Sequence, residues 1–146
     1  MEELLQLRRY LEQQDYARAL DLVAEMEEMS CEDKINKIRA LAKILLLHLI
    51  KQEAERRTTR SWELSILNAT HEISYINRRR KAGGYYLSTS ELQEVIAEAY
   101  PLALKHAALA AFEGQHDDVE LGQMVDQALI EQKALDLIIT QQDAKR

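Results

Sequence analysis

The run Ile44-Leu45-Leu46-Leu47-His48-Leu49-Ile50 is apolar on every side of a helix, interrupted only by His48. A helix that is hydrophobic all round offers no face to water and belongs inside a bundle. The run falls far short of the ~20 residues that span a bilayer, so it needs a protein core rather than lipid. Directly after it come Glu55-Arg56-Arg57-Thr58-Thr59-Arg60-Ser61 and then Trp62, the only tryptophan. This juncture reads as an ordered corner rather than a loose linker. Four glycines and one proline in 146 residues leave little material for tight turns, which favours long helices over many short strands. The expected fold is all-α, a single helical bundle of about five to seven helices over residues 1–146, with an N-terminal helical hairpin and a long C-terminal helix.

The periodicity places the elements. A first helix is predicted over Glu2 to Gln13, a turn at Gln14-Asp15 with Asp15 as N-cap, and a second helix from Tyr16 to Met29. Ser30 and Asp33 resemble a capping box, so a third helix is expected from Glu32 to Glu53. A fourth is predicted to begin near Ser61 and to pack on two sides through Trp62, Ile66, Ala69, Ile73 and Ile76 and through Leu64 and Leu67. Arg78-Arg79-Arg80-Lys81 is expected in its last turn, where positive charge suits the helix dipole, with Gly83-Gly84 as the stop. A fifth helix is capped by Ser88, Thr89 or Ser90, and Pro101 either kinks it or opens a new one. Leu92, Val95, Ile96 and Ala99 are predicted to face inward, and the stripe to run on through Leu102, His106, Leu109 and Ala110. Gly114 ends it. A last helix is expected from Asp118 to Gln141, with Leu121, Val125, Ala128, Leu135 and Ile138 inward.

The formal net charge of -6 argues against a surface that grips nucleic acid or an anionic membrane as a whole. No membrane association is expected. Cys31 is the only cysteine and has no internal disulfide partner, and the N-terminus does not resemble a signal peptide, so a cytoplasmic, reducing setting is expected. Cys31 is placed near a helix start and read as an ordinary thiol.

The segments His48-Leu49-Ile50-Lys51, Glu55 to Trp62, and Glu98-Ala99-Tyr100-Pro101-Leu102-Ala103 resemble the bacterial family "domain of unknown function 29". That family has an acidic helix, a leucine-rich helix ending in His-Leu-hydrophobic-Lys, an arginine-rich joint, Ser-Trp, and a later Tyr-Pro pair. Leu20 to Met29 looks like its acidic helix. The resemblance implies a small all-helical protein without assigned activity. It covers residues 1–114 as a family-like core and leaves residues 115–146 as an extension. Gln52 stands where an aromatic often follows in the family.

Each candidate site also has a structural role open to it. His48 has the chemistry of a metal ligand or general base, but its helical neighbours favour a buried histidine bonded to Gln52 or to a neighbouring helix. His71 on another helix completes at most a buried polar site. No metal, cofactor or catalytic residue is expected. Arg56, Arg57 and Arg60 have the chemistry to bind phosphate or an acidic partner. Their structural role would be to pair with Glu25, Glu27 and Glu28. Arg78, Arg79, Arg80 and Lys81, beside Tyr85-Tyr86, are the better nucleic-acid candidate. The favoured function is a protein–protein interaction or self-association module acting through residues 118–141. The alternative is a nucleic-acid-associated protein, including a nuclease, using one of the basic patches.

Overall fold

In the computed structural model, residues 2–79 and 83–144 are described. The chain divides into two compact units, residues 1–34 and 35–146. The helices are α1 (Glu2–Glu12), α2 (Tyr16–Glu55), α3 (Arg60–Asn77), α4 (Thr89–Ala110), α5 (Asp118–Met124) and α6 (Gln127–Ala144), with a 3-10 turn at Ala111–Gly114 between α4 and α5. The all-α expectation holds.

The first unit holds α1 and the start of α2. Gln14 takes a left-handed φ of 59°, and the Asp15 amide donates to the Tyr10 carbonyl at 2.8 Å, so the chain changes direction within two residues. Asp15 caps α2 as expected, accepting from the Arg18 amide at 3.3 Å. The break expected at Ser30 is absent, since α2 runs unbroken from Tyr16 to Glu55. The Ser30–Asp33 cap signal is weak. With no glycine or proline in Tyr16–Glu55 to stop propagation, adding helical residues wins over nucleating a new helix. Cys31 is half-buried inside this helix rather than at a helix start.

In the second unit, the buried residues of α2 are Ile38, Ala42, Leu45, Leu46, Leu49, Ile50 and Ala54. They form a broad stripe rather than a fully enclosed helix, for Ile44 is 40% exposed and Leu47 and His48 are half-buried. Thr59 caps α3, its hydroxyl accepting from the Trp62 amide at 3.1 Å. Ile73 and Ala69 are buried, whereas Leu64 and Leu67 stand 57% and 58% exposed. The second packing side expected for this helix is therefore open to solvent.

Helix α3 stops at Asn77, before the basic run and not at Gly83. Arg78 already has extended backbone angles (φ -78°, ψ 127°). Asn77 is fully buried and explains the stop. Its Oδ1 accepts from the Leu87 amide at 2.8 Å, and its Nδ2 donates to the Leu87 carbonyl at 3.1 Å and to Gln142 Oε1 at 2.9 Å. With Tyr86 N–H donating to the Asn77 carbonyl at 2.8 Å and a single antiparallel bridge between Arg78 and Tyr85, the chain folds into a small hairpin. The positive φ of Gly83 (76°) and Gly84 (74°) serves that reversal. Arg80 and Lys81 lie outside the described residues.

Ser88 and Glu91 form a reciprocal capping box at the start of α4. Pro101 sits inside this helix, with Pro101 and Ala97, whose carbonyl loses its partner, both exposed to water. The stripe expected through Leu102, His106, Leu109 and Ala110 lies outside the core, with Leu109 80% exposed. In the first half of α4, Leu92, Val95 and Ile96 are buried as expected, and beyond them the buried residues are instead Tyr100, Ala103, Ala107, Ala108 and, in the 3-10 turn, Ala111. Short alanine side chains let a neighbouring helix approach closely, and α4 packs on α6, on α5 and on the 3-10 turn. By length and composition alone Thr89–Gly114 could cross a membrane, but here its apolar side lines a protein core.

After α4, Phe112, Glu113 and Gly114 take left-handed φ values of 51°, 58° and 77° in succession. Asp117 and Glu120 then cap α5 reciprocally. The single helix expected from 118 to 141 is interrupted at Val125, which is extended (φ -129°, ψ 156°). Asp126 takes over as a cap, accepting from the Leu129 amide at 3.2 Å. Of the expected inward stripe, Leu121, Leu135 and Ile138 are buried, Val125 is half-buried and Ala128 is exposed. Helix α6 is covered by α3 and α4 of the same chain.

Candidate interaction surface

The arginine corner is built by the end of α2 and the cap of α3. Arg57 lies over the Trp62 ring at 4.7 Å and pairs with Glu55 at 3.2 Å. The Lys51 ammonium sits over the same ring at 4.5 Å. The pairing expected with Glu25, Glu27 and Glu28 required a turn between two helices that the chain does not have. Arg57 thus ties the corner to Trp62, a structural role reached through different partners. Arg56 and Arg60 are exposed. Arg56 carries a left-handed φ of 52° as the residue that ends α2, a place where glycine is usual. Adjacent substitutions should therefore act with opposite sign. Arg57→Ala is expected to lower stability by about 1 kcal/mol through the lost ring contact. Arg56→Gly should raise it by up to ~1 kcal/mol by relieving the backbone. Thermal denaturation of both variants checks the pair, and equal effects would refute the assignment.

His48 is not bonded to Gln52, whose amide donates to Thr58 Oγ1 at 2.7 Å instead. The His48 Nδ1 is buried with no hydrogen-bond partner among the described residues. Burial and then the Lys51 charge hold the imidazole below its ordinary value of 6.5. The folded chain thus takes up this proton less readily than the unfolded chain. Well above that value the imidazole is neutral in both states. As the pH falls below it the unfolded state is protonated first, so stability declines until the folded-state pKa has been passed. The melting temperature of wild type should fall more steeply than that of His48→Leu between about pH 7 and about pH 5. Parallel curves would refute this. His71 is exposed on α3, and the two histidines are not brought together with acidic or thiol groups, since no cluster of three metal-ligating side chains occurs among the described residues.

Of the second basic patch, Arg79 lies over the Tyr86 ring at 5.4 Å and Arg78 donates to the Gln142 carbonyl at 3.4 Å. Both arginines thus have contacts within the fold. Another buried polar atom, the Tyr100 hydroxyl, has no partner among the described residues. Its burial, together with Glu131 and Asp126, pushes its pKa up to about 12, so it stays a neutral phenol.

The surface that sequence reasoning missed is the first unit. Residues 1–34 hold ten acidic and four basic residues; the chain has 25 and 19, which leaves fifteen of each in residues 35–146. The whole net charge of -6 therefore resides in the first unit. Two of its four cations are already matched, Arg8 with Glu12 at 3.0 Å and Arg18 with Asp15 at 3.5 Å. Helix α1 has no buried residue. Leu4, Leu5, Leu11, Tyr16, Leu20 and Met29 are between 49% and 69% exposed. A charge count over a sliding window would have found the acidity; the exposure needed the fold.

No curated protein and no solved structure matches the chain. The family model that matches, Domain of unknown function DUF29, covers residues 3–121. That span takes in the acidic first unit, the arginine corner and the Tyr100-Pro101 pair. The chain belongs to the family described as Domain of unknown function DUF29.

Proposed function

We propose that this protein is a protein–protein interaction module and that residues 1–34 are its recognition surface. The observation that carries this reading is the coincidence, in one small unit, of six exposed large apolar side chains with all of the net charge. A solvent-facing apolar set on a unit with little core of its own marks a binding surface. Residues 118–141, the first choice from sequence, serve this role less well because their apolar stripe is covered by α3 and α4. A photo-reactive amino acid placed at Leu5 or Leu20 should yield a discrete protein adduct in the native cell. That adduct should vanish when Leu4 and Leu11 are changed to Ser. Equal adducts from probes at Leu64 and Leu109 would sink the assignment.

A second reading, nucleic-acid association, is favoured by the exposed Arg56 and Arg60 beside the Trp62 corner. Binding of RNA or DNA would have to weaken steeply with salt and drop in Arg56→Ala/Arg60→Ala. A salt-independent or absent shift removes it.

A further inference from the structure

Resting on the reading of residues 1–34 as a recognition surface, we propose that its occupant is a basic amphipathic helix of another protein, laid along the first turns of α2. Asp21, Glu25, Glu28 and Glu32 recur at spacings of four, three and four, which places them on one side of α2. At 1.5 Å per residue this carboxylate row is about 16 Å long. All four are exposed, and among the described residues none makes an ion pair with them. Tyr16 and Leu20, 59% and 69% exposed, lie one helical turn apart in a second row, centred about 130° around the helix from the carboxylates. An apolar row flanked by a carboxylate row is the complement of a helix with apolar anchors at i and i+4 beside lysine or arginine at i, i+4 and i+7.

Charge decides among the occupants. A second copy docked hairpin to hairpin would set -6 against -6. Nucleic acid and anionic lipid are repelled for the same reason. A basic helix gains both apolar burial and long-range attraction.

The test uses the full-length protein and three synthetic helical peptides of equal length in fluorescence anisotropy. One is built of Leu and Lys with the spacing above, one replaces Lys by Glu, and one replaces Leu by Ser. The Leu/Lys peptide should bind at least about tenfold more tightly than either control, and its affinity should fall as salt is raised. Glu25→Gln/Glu28→Gln should weaken it about tenfold at low salt, while Glu63→Gln/Glu72→Gln in the second unit should leave it unchanged. Equal binding of the Leu/Glu or Ser peptide, or equal losses from both pairs of substitutions, would overturn the proposal. So would a dimer in sedimentation that Leu20→Ser dissociates, since the occupant would then be a second copy. Photo-adducts at positions 5 and 20 without peptide discrimination overturn the basic partner alone. Absence of adducts overturns the reading on which it rests.

Discussion

Deleting α6 by ending the chain after Met124 should leave residues 35–124 unable to fold cooperatively. The deletion removes Ile130, Ala134, Leu135, Ile138 and Gln142 from buried positions. Fully burying each of the three large apolar side chains is worth about 1.5–3 kcal/mol, so their loss alone costs roughly 5–9 kcal/mol. That equals much of the ~5–15 kcal/mol by which a typical domain is stable. The faces of α3 and α4 that α6 covers would also be bared to water. Circular dichroism should show reduced helicity with no sharp thermal transition. A truncated chain that melts cooperatively near the full-length temperature would show that α6 is an appendage. The outcome is informative because the family match ends at residue 121, and the helix beyond it completes the core here.

The second large effect is expected at Asn77. Its amide closes three hydrogen bonds, two to the Leu87 backbone and one to Gln142. Asn77→Ala strands the buried Leu87 amide and carbonyl and leaves Gln142, itself buried, without this partner. Each unsatisfied buried group costs about 1–3 kcal/mol, so a loss of roughly 3 kcal/mol or more is expected. Asn77→Asp preserves the acceptor for the Leu87 amide but removes both donations and buries a carboxylate. It should be comparably unstable at neutral pH and should recover in part on acidification, as protonation removes the charge and restores one donor. Chemical denaturation at two pH values checks both variants. An Asn77→Ala loss under ~1 kcal/mol would mean that water replaces the amide.

The contrast between these two sites shows what local sequence can disclose. The scarcity of glycine and proline made a helical fold legible, and so did the Ser88 cap and the corner at Trp62, because the physics of each lies within a few neighbouring residues. The end of α3 was not legible. Gly83-Gly84 is the obvious local stop, but Asn77 ends the helix earlier through bonds to residues ten and sixty-five positions away. The core face of α4 beyond Pro101 differs from the expected stripe for a related reason, whereas Leu92, Val95 and Ile96 before it are buried as expected. Leucine outranks alanine in hydrophobic patterning, yet close helix approach selects Ala103, Ala107 and Ala108 for burial and leaves Leu109 outside. In the candidate surface, the acidity of residues 1–34 was countable from sequence. That Leu4, Leu5 and Leu20 remain uncovered depended on packing. The arginine runs are conspicuous in sequence, yet Arg57 makes its contacts with Trp62 and Glu55 within the fold.

The bond between Asn77 and Gln142 also sets an order of events on the ribosome. The hairpin after α3 is not locked until Gln142 has left the exit tunnel, so residues 35–146 gain their final form only after α6 has emerged. Residues 1–34, whose contacts are local, are complete while most of the chain is still unmade. The acidic, apolar residues 1–34 thus emerge before residues 35–146 can close their core. On stalled nascent chains, residues 35–124 should stay protease-sensitive until Gln142 has emerged, and protection of this unit before then would contradict the order.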